Sequence, residues 1–145
     1  FTADAGSRLA VGSGLCTVTN RDGVLVSQAG VGAVEPFRRG RLFVDEAGAQ
    51  TGVALVNNST NAAAVTLVLR NSAAIEIARN TQALPAGGHL SRFVNQLFPD
   101  QAAGLRGSLT FESDLPLAPV TLRQSRNAYG ESLYSTLPVV DLSAP

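Results

Sequence analysis

The chain holds one histidine, His89, and one cysteine, Cys16. A thiol–imidazole pair is the first chemistry such residues could perform, with the base activating the nucleophile. The surroundings argue against it. Nothing near Cys16 has the local context of a cysteine nucleophile, and the alternation over residues 15–19 predicts a small buried thiol. No Gly-x-Ser-x-Gly elbow occurs. One His and one Cys cannot build a zinc site. Calcium needs clustered oxygens; Asp4 and Asp45-Glu46 offer charge but no Asp-x-Asp-x-Asp-Gly spacing. The carboxylates Glu35, Asp45, Glu46, Glu76, Glu112, Asp114 and Glu131 fall in expected turns and edges, with no pair set apart for glycoside hydrolysis. Gly12-Ser-Gly14 and Gly30-Val-Gly32 lack the Lys and following helix of a phosphate loop. The sequence is therefore read as having no catalytic residues, no metal site and no cofactor.

One patch survives as a ligand site. Sugar-binding sandwiches present aromatic rings to the sugar. This chain has two Tyr, six Phe and no Trp. Phe43, Phe93, Phe98 and Phe111 fall at core-phase positions. Tyr129 sits in a Gly/Asn turn and Tyr134 on the last expected strand. With Arg123 and Arg126 they make the one aromatic–polar patch a polysaccharide could use. The competing reading is a Tyr hydroxyl that anchors a turn.

These residues have to be positioned by a chain of 145 residues, the size of one domain. Only 15% of it is charged, below the usual quarter, which leaves polar surfaces built from Ser, Thr and Asn. Eleven arginines balance eleven acidic residues, and there is no lysine. That balance argues against a nucleic-acid partner, which needs a clustered basic face. Arg38, Arg39 and Arg41 form the nearest cluster and read as a solvated strand edge. No apolar run reaches membrane-spanning length, so membrane insertion is not expected. The chain opens without a secretory leader; a removed leader or a longer parent protein would account for that.

Strand signals dominate. Asp22-Gly23 between two β-prone runs predicts a hairpin over residues 16–26. Residues 51–84 read as a three-stranded meander, broken by the polar cluster at 57–61. Strands are expected at 107–112, at 115–123 after a turn at Ser113-Asp114, and at 132–140. Pro116 and Pro119 require an edge or a bulge. Residues 141–145 read as an exit linker. Against this pattern, Leu90, Phe93, Val94, Leu97 and Phe98 repeat with helical spacing. Residues 89–98 are therefore expected as a short amphipathic helix that inserts both phenylalanines into the core. The fold class expected is mostly β: an antiparallel sandwich of Ig-like, Greek-key type. The hairpin near residue 14 is faintly echoed near residue 107, which leaves open one unit of a longer tandem array.

The runs Thr51-Gly-Val-Ala-Leu-Val-Asn-Asn58, Val65-Thr-Leu-Val-Leu-Arg70 and Leu84-Pro-Ala-Gly-Gly-His-Leu-Ser-Arg-Phe-Val-Asn-Gln-Leu-Phe-Pro99 resemble a β-sandwich module of uncharacterised function. So do Ser27-Gln-Ala-Gly-Val-Gly-Ala33, Gly107-Ser-Leu-Thr-Phe-Glu-Ser-Asp114, Leu122-Arg-Gln124 and Ser135-Thr-Leu-Pro-Val-Val140. The module recurs in secreted and surface proteins of soil bacteria such as Acidobacteria. The resemblance implies an extracellular or cell-surface location, beside other domains of the same chain, and assigns no site residues. The expected role is a non-enzymatic structural, assembly or spacer module whose partners are those domains or neighbouring copies met at strand edges. The alternative is a carbohydrate-binding accessory domain.

Overall fold

A computed structural model describes Gly6 and residues 12–143. The protein is mostly β, with antiparallel strands, one short helix and a sandwich-like arrangement. Asn20 opens the first turn: its side-chain oxygen accepts the backbone N–H groups of Asp22 and Val24. Gly23 supplies the positive φ that the turn needs. The expected hairpin forms here, joining β1 (Ser13–Thr19) to β2 (Leu25–Gly32). This ribbon is a separate two-stranded sheet.

The rest is organised by one long strand. β8 (Arg106–Arg126) is 21 residues long. Its first half lies between β3 (Phe37–Asp45) and β5 (Ala63–Asn71). Its second half lies between β4 (Gln50–Val56) and β9 (Ser132–Ser135). Outside β5 sits β6 (Glu76–Leu84), outside β4 sits β7 (His89–Phe93), and β10 (Val140–Asp141) pairs with β3. Two sheets thus share β8, and its side chains explain how. Leu109, Phe111, Ser113, Leu117 and Thr121 are all buried, so the period-two alternation runs through both halves without a slip. The turn expected at Ser113-Asp114 is absent, and the residues near 107 form no second hairpin. Pro119 pairs with Leu55 on one side, while β9 ends at the pair Arg123↔Ser135. The proline therefore meets no ladder on its other side, which satisfies the requirement for a locally free edge.

The expected meander is split between the sheets. β5 and β6 pair, but β4 belongs to the other sheet. Asn57 anchors the crossing. It is fully buried, and its amide donates to the carbonyls of Asn61, Leu84 and Pro85 at 2.8–3.1 Å. A buried amide so placed satisfies backbone groups that the turn would otherwise strand.

The expected helix over 89–98 is mostly strand. Residues 89–93 pair with β4 in register Leu55↔Leu90 and Gly52↔Phe93, leaving α1 (Val94–Leu97) as a single turn. A helix of about ten residues is marginal by itself, whereas β4 offers an open edge of backbone donors and acceptors. Leu90, Val94, Leu97 and Phe98 are buried as the pattern requires, but Phe93 lies on the outer side, its ring over Gly52. Residues 132–140 form two strands rather than one, because 136–139 cross from the edge of β8 to the edge of β3. Residues 141–143, expected as linker, stay with β3: Leu142 N–H donates to the Arg39 carbonyl at 2.8 Å and Arg39 N–H to Ser143 Oγ at 2.9 Å. Ala144 and Pro145 lie outside the described residues.

One core cluster joins both sheets, with Leu42, Leu55, Leu67, Leu109, Phe111 and Phe98 among its members. Phe111 stacks on Phe37 at 5.6 Å, over Gly40, where a side chain would collide with both rings. Phe43, expected in the core, is 52% exposed. It follows Arg39 and Arg41 on the outward phase of β3. The two rings should separate in stability measurements. Phe111→Ala is expected to cost about 3–5 kcal/mol in denaturant unfolding, and Phe43→Ala under about 1 kcal/mol. Equal costs would contradict the strand phase assigned to β3.

Candidate functional site

The four residues of the sequence-assigned patch do not converge. β8 and β9 pair Arg123↔Ser135, Gln124↔Tyr134 and Arg126↔Ser132. Directly opposed residues share a face and neighbours alternate, so Tyr134 and Arg126 lie on one side of this pair and Arg123 on the other. Tyr129 is 89% exposed at the tip of the β8–β9 turn. The Arg126 guanidinium donates to the Gly130 carbonyl of that turn at 3.2 Å. The turn itself is held by Asn127, whose side-chain oxygen accepts Tyr129 and Glu131 N–H.

Arg123 faces inward because Thr51, its partner on β4, does. There it meets Asp45 from β3. Arg123 Nη2 lies 3.0 Å from Asp45 Oδ2, and Arg106 Nε 3.5 Å from Oδ1. Thr51 Oγ1 accepts Asp45 N–H at 2.9 Å, and Glu46 Oε1 accepts Thr51 N–H at 2.7 Å. The Arg123 hydrogen bond holds the Asp45 carboxyl below the usual carboxylate range; burial opposes it, and the N–H groups of Ala47 and Gly48 assist. Burial pushes the Glu46 carboxyl up, with the Asp45 charge adding to it and the Thr51 N–H opposing. Two neighbouring carboxyls displaced in opposite directions resemble an acid–base pair. Here both are spent on closing the β3–β4 turn, and every buried side-chain polar atom in the described residues has a partner.

His89 and Cys16 stand apart. His89 is on β7, at one edge of the sheet ordered β9-β8-β4-β7. Cys16 is on the ribbon, which docks against β9 at the opposite edge. Cys16 is also exposed rather than buried, because among the described residues β1 has no sheet packed over it. Asp4 lies outside the described residues. Among those described, no three metal-ligating side chains come together, and no helix is long and apolar enough to cross a membrane.

The docking of the ribbon on β9 is the feature that sequence reasoning missed. The ribbon joins β9 through side chains instead of a backbone ladder. Ser27 Oγ accepts Tyr134 N–H at 2.7 Å and donates to the Tyr134 carbonyl at 3.2 Å; Thr136 Oγ1 donates to the Gly30 carbonyl at 3.0 Å. Leu15, Val24 and Leu25 are each more than half exposed. Among the described residues, β2 is the only strand paired with β1, and none of them pairs with the other edge of β1. The sequence signal was present: residues 13–19 contain no charge and no proline, the two devices that guard an edge.

The fold is similar to that in the crystal structure of Thermotoga maritima 1070, with a TM-score of 0.62 and 9% identity over 77% of this chain and 99% of that one. At that identity the likeness concerns the fold alone. No family model matches the sequence, and neither does any curated protein.

The Asp45 arrangement has a pH signature. A carboxyl depressed in the folded state adds stability that is fully present above its unfolded pKa, near 3.9, and is lost as pH falls through the lower folded value. Denaturation midpoints measured from pH 7 to pH 2 should therefore decline on the acid limb, and Arg123→Gln should flatten that decline. At neutral pH the substitution is expected to cost about 1 kcal/mol, since Arg123 is 31% exposed and partly screened. An unchanged acid limb would show that the ion pair does not contribute.

Proposed function

We propose that the chain is a non-enzymatic assembly module of a bacterial secreted or surface protein. It is Ig-like in the broad sense of stacked antiparallel sheets, and it works by joining neighbouring copies through the outer edge of β1. The resemblance to modules of soil bacteria supports the location and the structural or spacer role. The uncharged outer edge of β1 carries the assembly reading. Outer edges elsewhere have charged side chains: Glu76 and Arg79 on β6, Arg92 on β7 and Asp141 on β10. β1 has none, and among the described residues nothing pairs with its outer edge, whose backbone donors and acceptors can add a strand. With a formal net charge of zero the chain has no long-range repulsion to keep copies apart. The titratable cluster at Asp45 supports the non-enzymatic reading, since its hydrogen bonds are all internal.

A closed pair of identical chains has two-fold symmetry. Two antiparallel copies of Ser13–Thr19 in full register place their middle residue, Cys16, opposite itself. Leu15 then faces Thr17 of the other copy. Opposed residues in such a ladder are about 4.5–5.5 Å apart at Cα, within the range a disulfide spans.

Size-exclusion with light scattering should show a concentration-dependent dimer. A mild thiol oxidant should cross-link it through Cys16. The double variant Leu15→Lys with Thr17→Lys sets like charges opposite one another and should be monomeric. A strict monomer at high concentration, or cross-linking unaffected by the double variant, would overturn the reading.

A further inference from the structure

The outward phase of the β3–β8–β5 sheet gathers an aromatic ring and several cations. Across the three strands the ladder forms the rows Arg41–Thr110–Val68 and Phe43–Ser108–Arg70, with the β8 residue in the middle of each. Arg39, Arg79 and Arg106 lie on the same face, and Glu76, Glu112 and Asp114 are its exposed carboxylates. Arg79 and Arg70 both engage Glu76. Among the described residues no carboxylate lies within ion-pair distance of Arg41 or Arg39.

The cations are held in place. Arg41 Nε and Arg70 Nη1 each donate to Thr110 Oγ1 at 3.2 Å, and that residue is 4% exposed. Val68, although on the outward phase, is 6% exposed. Long arginine stems covering an apolar residue produce that burial. Two guanidinium groups leaning on one neutral hydroxyl repel each other, and an anion set between them would relieve it. Beside them Phe43 is half exposed and lines two shallow depressions of about 320 Å³ and 310 Å³, the first completed by Arg41 and the apolar Leu137, Pro138 and Val140. The second is lined by Asn71 and Arg106. Asn71 Oδ1 already accepts Ala73 and Ile75 N–H at 3.0 Å, so only its amide N–H groups remain to face a ligand.

The surface thus offers one ring, flanked by the apolar Leu137, Pro138 and Val140 and by the donors of Arg41, Asn71 and Arg106. A ligand that fits has an apolar ring face, many oxygen acceptors and a negative charge. We infer that this face binds an anionic polysaccharide, a sugar ring stacking on Phe43 while its carboxylate or sulfate is held by Arg41 and Arg70. A nucleic acid fits less well. Its backbone rewards a long run of cations, whereas this face sets Arg39, Arg41, Arg70, Arg79 and Arg106 against Glu76, Glu112 and Asp114 on a neutral chain. The site lies on a different sheet from the β1 edge and does not depend on it.

Affinity gel electrophoresis with alginate, dextran sulfate and unmodified dextran tests this. Retardation is expected in one or both anionic gels and not in dextran; the gel that retards says whether carboxylate or sulfate is bound. Phe43→Ala and Arg41→Gln, checked for native fold by circular dichroism, should each weaken binding about tenfold. Tyr129→Ala should leave it unchanged. No retardation in either anionic gel, or equal retardation in dextran, would overturn the proposal. So would full retention by Phe43→Ala, which would indicate charge alone, or equal binding of polyuridylate.

Discussion

A single strand that belongs to two sheets constrains everything else in this protein. β8 must keep its odd-numbered residues inward over both halves, because the same core lies beneath each. Any register slip would turn the whole set outward. Ser113 and Asp114 therefore cannot open a turn, although their types favour one. They are held within the strand instead: Asp114 Oδ1 accepts Ala64 N–H at 2.8 Å, and Arg38 donates to the Asp114 carbonyl. The neighbouring strands take their places from this arrangement. β3 and β5 flank the first half, and β4 and β9 the second, so chain segments adjacent in sequence are separated between sheets.

That separation creates crossings, and each is secured by a polar side chain. Asn57 fastens the passage from β4 to β5. Thr121 fastens the passage from β9 to β10, its hydroxyl accepting Leu137 N–H at 2.9 Å and donating to the Leu137 carbonyl. Asp45 and Thr51 fasten the β3–β4 turn. All four are buried polar groups, and each satisfies backbone atoms that a crossing exposes. Their chemistry is thereby used up. Apolar side chains without cover lie elsewhere, among them Leu15, Val24 and Leu25 on the β1–β2 ribbon and the ring of Phe43.

The candidate sites were legible only in part. That nothing resembled a nucleophile, base or metal cluster followed from the counts of His89 and Cys16. The aromatic–arginine patch is divided, with Arg123 on one face and Tyr134 and Arg126 on the other, because residue spacing gives strand phase but not which face meets the core. Arg123 and Arg126 differ by three positions and so must point oppositely; Asp45, 78 residues away in the chain, decides which of them turns inward. The partners that surround Phe43 come from β8 and β5, far apart in sequence, so no local pattern could announce them.

The sequence by itself determined that the chain is built of strands, that Asp22-Gly23 closes a hairpin, and that Leu90, Val94, Leu97 and Phe98 are buried. These follow from period, turn chemistry and apolar type, all local properties. Only the tertiary structure decided that residues 89–93 extend along β4, that Phe43 faces outward, and that residues 107–126 run unbroken. Each of those outcomes depends on which backbone edge stands open nearby. Hydrogen bonds across a ladder outweigh the weak local preference of a single turn or a short helix. Periodicity alone cannot identify such a partner, because the edge that supplies it comes from a distant part of the chain.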